Sequence, residues 1–277
     1  MNSLLCAALA VLGLPQDDGP DFTVRIADDA TITLAASWGP FEDWSLGTPE
    51  VVEHPALAHP TPAEPERTIA ADRLRPFLPA RAVELGEPWE VDREAVVALL
   101  TQLHPGATSE MSHGTQNAGG SHALLRAANE RYLELLTRSH ASIVLAEGVR
   151  LNPAQFEGRL LLDRGTGAVV AYRLHLPPRN TNVDVNVALD PGAGPFQSVV
   201  KIDLGYLPRM ELAGGAWPAG LEWTYEVEDE PARKLLRERF YGAVDWLSFE
   251  DAVRRAREED RPLHVVLVFG TFDDAAC

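Results

Sequence analysis

The stretch "GRLLLDRGTGAVVAYRLHL", residues 158–176, constrains the fold of this chain more than any other. Two β-patterned arms flank a glycine-containing turn from Arg164 to Gly167, so the segment reads as a β-hairpin. In its second arm Ala168, Val170, Tyr172, Leu174 and Leu176 occupy alternate positions and share one face. More strands are patterned around it: "SIVLAEGVRL" before, "TNVDVNVAL" and "SVVKIDLGYL" after. "TNVDVNVAL" alternates strictly, with Val183, Val185 and Val187 opposed by Asn182, Asp184 and Asn186, and the last strand is broken at Gly205 and Pro208.

Helices are expected ahead of these strands. Asp92 can cap a helix in which Val96, Leu99, Leu100 and Leu103 recur at helical spacing, with Pro105 as its stop. A polar, glycine-rich loop, "GATSEMSHGTQNAGGS", follows, and Ser121 is expected to cap a second helix with Leu125, Ala128, Tyr132 and Leu135 on one face. Residues 87–230 therefore read as an α+β domain, a mixed helix and antiparallel-sheet unit. Ahead of it, within residues 17–86, residues 21–37 suggest a hairpin turning at Asp28-Asp29, and residues 49–65 carry five prolines and read as an extended linker.

A formal charge of −17 argues against nucleic acid and anionic membrane surfaces as partners, because both need clustered Lys and Arg. Only Lys201 and Lys234 are lysines. The apolar stretch at residues 4–14, which contains Cys6, is too short to span a bilayer and has the length of a signal-peptide core. Residues 1–16 are accordingly expected to be a signal peptide, although no Lys or Arg precedes the stretch. The expected location is exported or membrane-associated and extracytoplasmic, with membrane contact only through this segment; the alternative is cytoplasmic.

The last part of the chain carries the sharpest chemical signal. The charged run "EVEDEPARKLLRERF" leads into it, and its "EVEDE" portion, like "REED" further on, reads as a solvated face. Ser248 and Asp251 form a capping box for a helix whose Phe249, Ala252, Val253 and Ala256 line one face, and Pro262 closes it. Residues 265–269, "VVLVF", have the pattern of a strand buried on both faces, and Cys277 follows. A cysteine leaving a parallel strand lies in the field of the next helix's N-terminus, which favours thiolate, as at the redox centre of a thioredoxin-like fold. No C-x-x-C is present, and an incidental cysteine is the competing reading.

Three blocks of the sequence resemble one family, selenoprotein N. They are "LNPAQFEGRLLLDRGTGAVVAYRLHLPPRNTNVDVN", "IDLGYLPRMEL" and "FEDAVRRAREEDRPLHVVLVFGTFDDAAC". The resemblance implies that residues 240–277 begin a thioredoxin-like domain whose remainder is not in this sequence. It also implies that Cys277 is the cysteine of a Ser-Cys-selenocysteine-Gly redox site. The next codon would then be UGA, read as a stop, and the chain as it stands would be inactive. Ala276 replaces the family's serine, and Phe269 stands where tryptophan is usual. Asp273 and Asp274 match the acidic pair before the redox site, where they either take part in proton transfer or shape the turn. Asn182, Asp184 and Asn186 form either a solvated sheet face or a polar face turned to the redox centre.

No metal is expected. Asn180, Asn182 and Asp184 have calcium-ligand spacing, but Val185 occupies the glycine position of the loop. His104, His113 and His122, nine residues apart, match no zinc spacing. The function implied is a thiol–disulfide oxidoreductase that binds no cofactor and uses selenocysteine next to Cys277. Its partners would be an oxidised protein or small-molecule thiol substrate and an unidentified reductant. The alternative is a non-enzymatic binding module with a vestigial redox tail.

Overall fold

Apolar and polar residues alternate along segment after segment of this chain, and the structure turns that alternation into one sheet with two different faces. The computed structural model describes residues 22–38, 55–58, 61–109, 120–177, 183–188, 199–205, 210–241 and 247–263. Its strands are β1 (Thr31–Trp38), β2 (Glu66–Ala70), β3 (Pro88–Glu90), β4 (Ala107–Thr108), β5 (Ser121–Ala128) and β6 (Tyr132–Ala146). They continue with β7 (Val149–Asp163), β8 (Val169–His175), β9 (Val183–Ala188), β10 (Val199–Gly205), β11 (Met210–Gly215) and β12 (Tyr225–Glu226). Among the described residues the helices of a full turn pair or more are α1 (Arg93–Leu100), α2 (Asp229–Tyr241) and α3 (Phe249–Glu258).

The main path of the 12-stranded sheet runs β12-β5-β6-β7-β8-β11-β1-β2, with β9 and β10 branching from β7 and the short β3 and β4 from β5 and β6. Every pairing is antiparallel. The spine is the β6–β7 ribbon, two strands of 15 residues each. Its near half pairs with β5 and β8, and its far half with β4 and β9. β1 pairs with β11 across the sheet, so the sheet runs through position 87 without a break.

One face of these strands closes the core. Leu133, Leu135, Leu160, Leu162, Tyr172, Leu174, Leu212, Leu34 and Ile32 gather there with Val96, Leu99, Leu100 and Leu103 from α1 and the turn after it. Asp92 caps α1 as expected, its carboxylate accepting from the Glu94 N–H at 2.9 Å. The helix ends at Leu100, short of Pro105, because the Thr101–Leu103 amides turn back onto carbonyls within the last turn. The Arg164–Gly167 turn is also as expected. Asp163 Oδ1 accepts from Gly165 N and Thr166 N, and Gly167 takes φ +76 where a Cβ would come 2.8 Å from Ala27 N. A register shift at Leu161/Leu162 moves Val169, rather than Ala168 and Val170, onto the core.

Three expectations are corrected. The helix expected from Ser121 is instead β5, a turn and the start of β6. Almost every residue of β5 is buried, so apolar side chains fit a period of 2 as well as 3.6. Asn129 decides the matter by accepting from Arg131 N and Tyr132 N with its side chain, which folds the chain back into a hairpin. The N-terminal hairpin is half right. Asp28-Asp29 is a turn, but residues before it do not pair with β1; Phe22 bridges to Val83, and β1 pairs with β2. Glu147-Gly148 likewise divides "SIVLAEGVRL" into the ends of two strands.

The architecture is thus mixed helix and mostly antiparallel sheet. In the C-terminal part, Ser248 caps α3 by accepting from Asp251 N at 3.1 Å, and α3 buries none of its residues.

Candidate functional site

Pairing places one polar residue opposite the next across the outer face of the sheet. His122 lies opposite Arg138, Arg138 opposite Glu157, Glu157 opposite His175, and His175 opposite Glu211, a row that crosses five strands. Beside it, Leu124 faces Leu136 and Leu136 faces Arg159; on the other side His140 faces Gln155. The row arises because the β6 residues that alternate with the core set (Glu134, Leu136, Arg138, His140) are mostly polar.

This face is not solvated where α2 lies over it. Ala232 and Leu236 pack on Leu124 and Leu136 as a second small apolar cluster. Around that cluster, charges alternate in sign. Arg126 pairs with Glu134 and, at 3.1 Å, with Glu226. Glu134 also meets Arg159 at 3.6 Å and accepts from Trp217 Nε1 at 3.2 Å. Arg159 pairs with Asp229, Asp229 with Arg233 at 2.8 Å, Arg233 with Glu157, and Glu157 with Arg138 at 3.2 Å. Four arginines meet four carboxylates. The side chains of Arg126 and Glu134 are 7% and 2% exposed, so their charges depend on each other rather than on water.

Burial shapes the titration here. His175 is pushed down to about 4, first by desolvation and then by Arg173, with Glu211 opposing. His122 is lowered by desolvation first, with Glu90 opposing and Arg239 adding to the shift. Arg233 is also lowered, by burial before its arginine neighbours. Both histidines are therefore neutral near pH 7. This arrangement holds a helix on a sheet and keeps histidines uncharged. Among the described residues it offers no group of three metal-ligating side chains, and no thiol.

Of the residues singled out from sequence, Cys277, Asp273, Asp274 and Asn182 lie outside the described residues, as do Cys6, His113 and residues 265–269. Asp184 and Asn186 lie on β9, where Asp184 faces Asn152 and Asp203, and Asn186 faces Arg150 and Lys201. The valines of β9 alternate with them as expected, Val185 lying in the core. The solvated-face reading fails at Asn186, which is 3% exposed. Branching from β7 gives β9 a neighbour on each edge and buries it. His104 is buried near Trp38 and accepts from Gly106 N at 3.0 Å, a structural role.

Reading from sequence missed the charge lattice. "EVEDE" is largely exposed, as expected, and in addition Glu226 and Asp229, 50% and 44% exposed, pair with Arg126 and Arg159 on the sheet. The available signal was the arginines and glutamates set within otherwise apolar strands: Arg126, Glu134, Arg138, Glu157 and Arg159. "REED" is exposed, as expected.

No family model matches the chain, and no solved structure matches it. Curated proteins do. Selenoprotein N of Mus musculus is 26% identical over 315 residues, covering 90% of this chain and 56% of the relative. Selenoprotein N of Homo sapiens is 27% identical over 273 residues, covering 78% and 45%, and that of Danio rerio is 27% identical over 332 residues, covering 93% and 58%. The chain spans about half the length of the curated relatives it matches. Over most of its length, therefore, this chain is similar to selenoprotein N.

Proposed function

We propose that this chain is the N-terminal portion of a selenol-dependent thiol–disulfide oxidoreductase, with Cys277 and a selenocysteine directly after it as the redox couple. The observation that carries the reading is the similarity to selenoprotein N, which extends over most of the chain. The sequence "FEDAVRRAREEDRPLHVVLVFGTFDDAAC" supports it, as does the capped helix α3 that opens this block. A thioredoxin-like fold for residues 240–277 and beyond belongs to the same proposal, as does export directed by residues 1–16.

The chemistry balances without a bound cofactor. The selenolate attacks one sulfur of a disulfide substrate, a Se–S bond forms, the S–S bond breaks, and one substrate thiolate leaves. The Cys277 thiolate then attacks selenium, releases the second substrate thiolate and leaves a selenenylsulfide. A dithiol donor returns two electrons to that bond. In this reading Asp273 and Asp274, which match the acidic pair before the family's redox site, pass the protons released or shape the turn before Cys277.

The test is a protein extended through the downstream frame, with cysteine at the codon after Cys277. Its reduction of a small aromatic disulfide by a dithiol donor is expected to fall at least tenfold in a Cys277→Ser variant. An unchanged rate rejects the reading. A sense codon, or a stop other than UGA, directly after the Cys277 codon also rejects it. One observation favours the other reading, a binding module: among the described residues, side chains from Phe22 to Leu212 gather into one core. An extended protein that exchanges no disulfide but keeps this fold would favour it.

A further inference from the structure

The interface between α2 and the sheet differs from the rest of the interior in how it would come apart. Its apolar part is Leu124 and Leu136 from the sheet against Ala232 and Leu236 from the helix, with Val227 and Leu235 partly buried beside them, a cluster separate from the main core. What remains is ionic: Arg233 to Glu157, and Arg159 to Asp229. Ion pairs drawn from water return little net attraction, because desolvation offsets most of the Coulomb gain.

Each of these charges also has a second partner on its own side. On the sheet, Glu157 keeps Arg138 at 3.2 Å and Arg159 keeps Glu134 at 3.6 Å. On the helix, Asp229 keeps Arg233 at 2.8 Å and Glu230 keeps Arg237 at 2.5 Å. Lifting the helix therefore divides the lattice into two internally paired halves and strands no charge. The packing is imperfect along this seam. Leu136, Arg138, Glu157, Gly158, Arg233 and Leu236 line a small, partly open pocket of about 10 Å³.

We propose that α2 is a detachable clasp that lifts from the outer face of the sheet while the sheet stays folded. α3 follows it and buries no residue, so α2 is the last described element packed on the sheet before the segment that carries Cys277. Release of the clasp lengthens the tether of that segment. This second consequence rests on the redox reading given above; the lifting itself does not.

Native-state hydrogen exchange of the full chain across low denaturant concentrations tests the clasp. Amides of residues 232–241 are expected to exchange at least tenfold faster than those of Leu135 and Leu160, with a weak denaturant dependence. Leu236→Ala is expected to widen the gap to about a hundredfold without changing exchange at Leu135. Exchange of α2 together with β6 and β7, at the same denaturant dependence, overturns the proposal in the wild-type chain alone. For the tether, a fluorophore on Cys277 in a Cys6→Ser background is expected to lose anisotropy on Leu236→Ala, and unchanged anisotropy removes that consequence. Failure of disulfide exchange at Cys277 removes the redox reading and leaves the exchange result standing.

Discussion

The two faces of the β6–β7 ribbon are built from the same strands and obey different physics. On the inner face, Leu135 lies opposite Leu160 and Ser139 opposite Phe156, all enclosed in the main core. On the outer face, Glu134 lies opposite Leu161 and Arg138 opposite Glu157, under a helix that meets the sheet through a small apolar cluster and a charge lattice. Apolar burial is non-directional and scales with the area removed from water. A buried charge is tied to particular partners, and its value vanishes when one of them is missing. The inner face therefore holds the sheet together, and the outer face decides where one helix sits.

The comparison can be broken most severely from inside. Phe156→Ala removes a fully buried ring at the centre of the ribbon, and about 4 kcal/mol of unfolding free energy is expected to be lost in denaturant melts. On the outer face, Glu134→Leu leaves Arg126 with only the half-exposed Glu226 and is expected to cost about 3 kcal/mol. The double variant Arg126→Met with Glu134→Leu is expected to recover most of that loss. A double variant as damaged as the single one would mean that the lattice itself stabilises the fold.

Acid sharpens the same contrast. The folded protein binds a proton at His175 more weakly than the unfolded chain, because the site is desolvated and faces Arg173 and Arg159 as well as Glu157 and Glu211. The stability from this group is complete above pH 6.5 and is lost as the pH falls towards about 4. The loss is on the order of 2 kcal/mol, since the imidazole is only partly shielded from solvent. His175→Gln is expected to flatten that part of a stability–pH curve. His104 and His122, lowered by the same desolvation, keep some slope. The smallest effect concerns a polar atom on the inner face. The Tyr172 hydroxyl is buried without a hydrogen-bond partner among the described residues, and burial raises its pKa. Tyr172→Phe is expected to change stability by less than about 1 kcal/mol and in the stabilising direction.

Much of the sheet was legible because its signals are local. The Arg164–Gly167 turn is set by Asp163 and Gly167 within five residues, and the alternation of β9 predicted which residues enter the core. The caps at Asp92 and Ser248 are equally local, since each needs only its own side chain and an amide two or three residues on. Ser121–Ala128 was misread because burial on both faces erases the period that separates strand from helix. The candidate site was less legible. Arg126 and Glu226 are a hundred residues apart, and nothing in the local sequence of either names the other.

What the sequence by itself determined is the set of strands with strict alternation, their turns, the two helix caps and the similarity to selenoprotein N. These follow from neighbours along the chain or from residue identity alone. Tertiary structure alone decided that β1 crosses to pair with β11, that β9 branches from β7 and buries Asn186, and that α2 settles on the outer face. Strand partners are chosen by which edges remain open once the core has closed. A charge such as Asp229 is solvated or paired according to what folding brings within a few ångströms of it, so neither outcome is written in any short stretch of the chain.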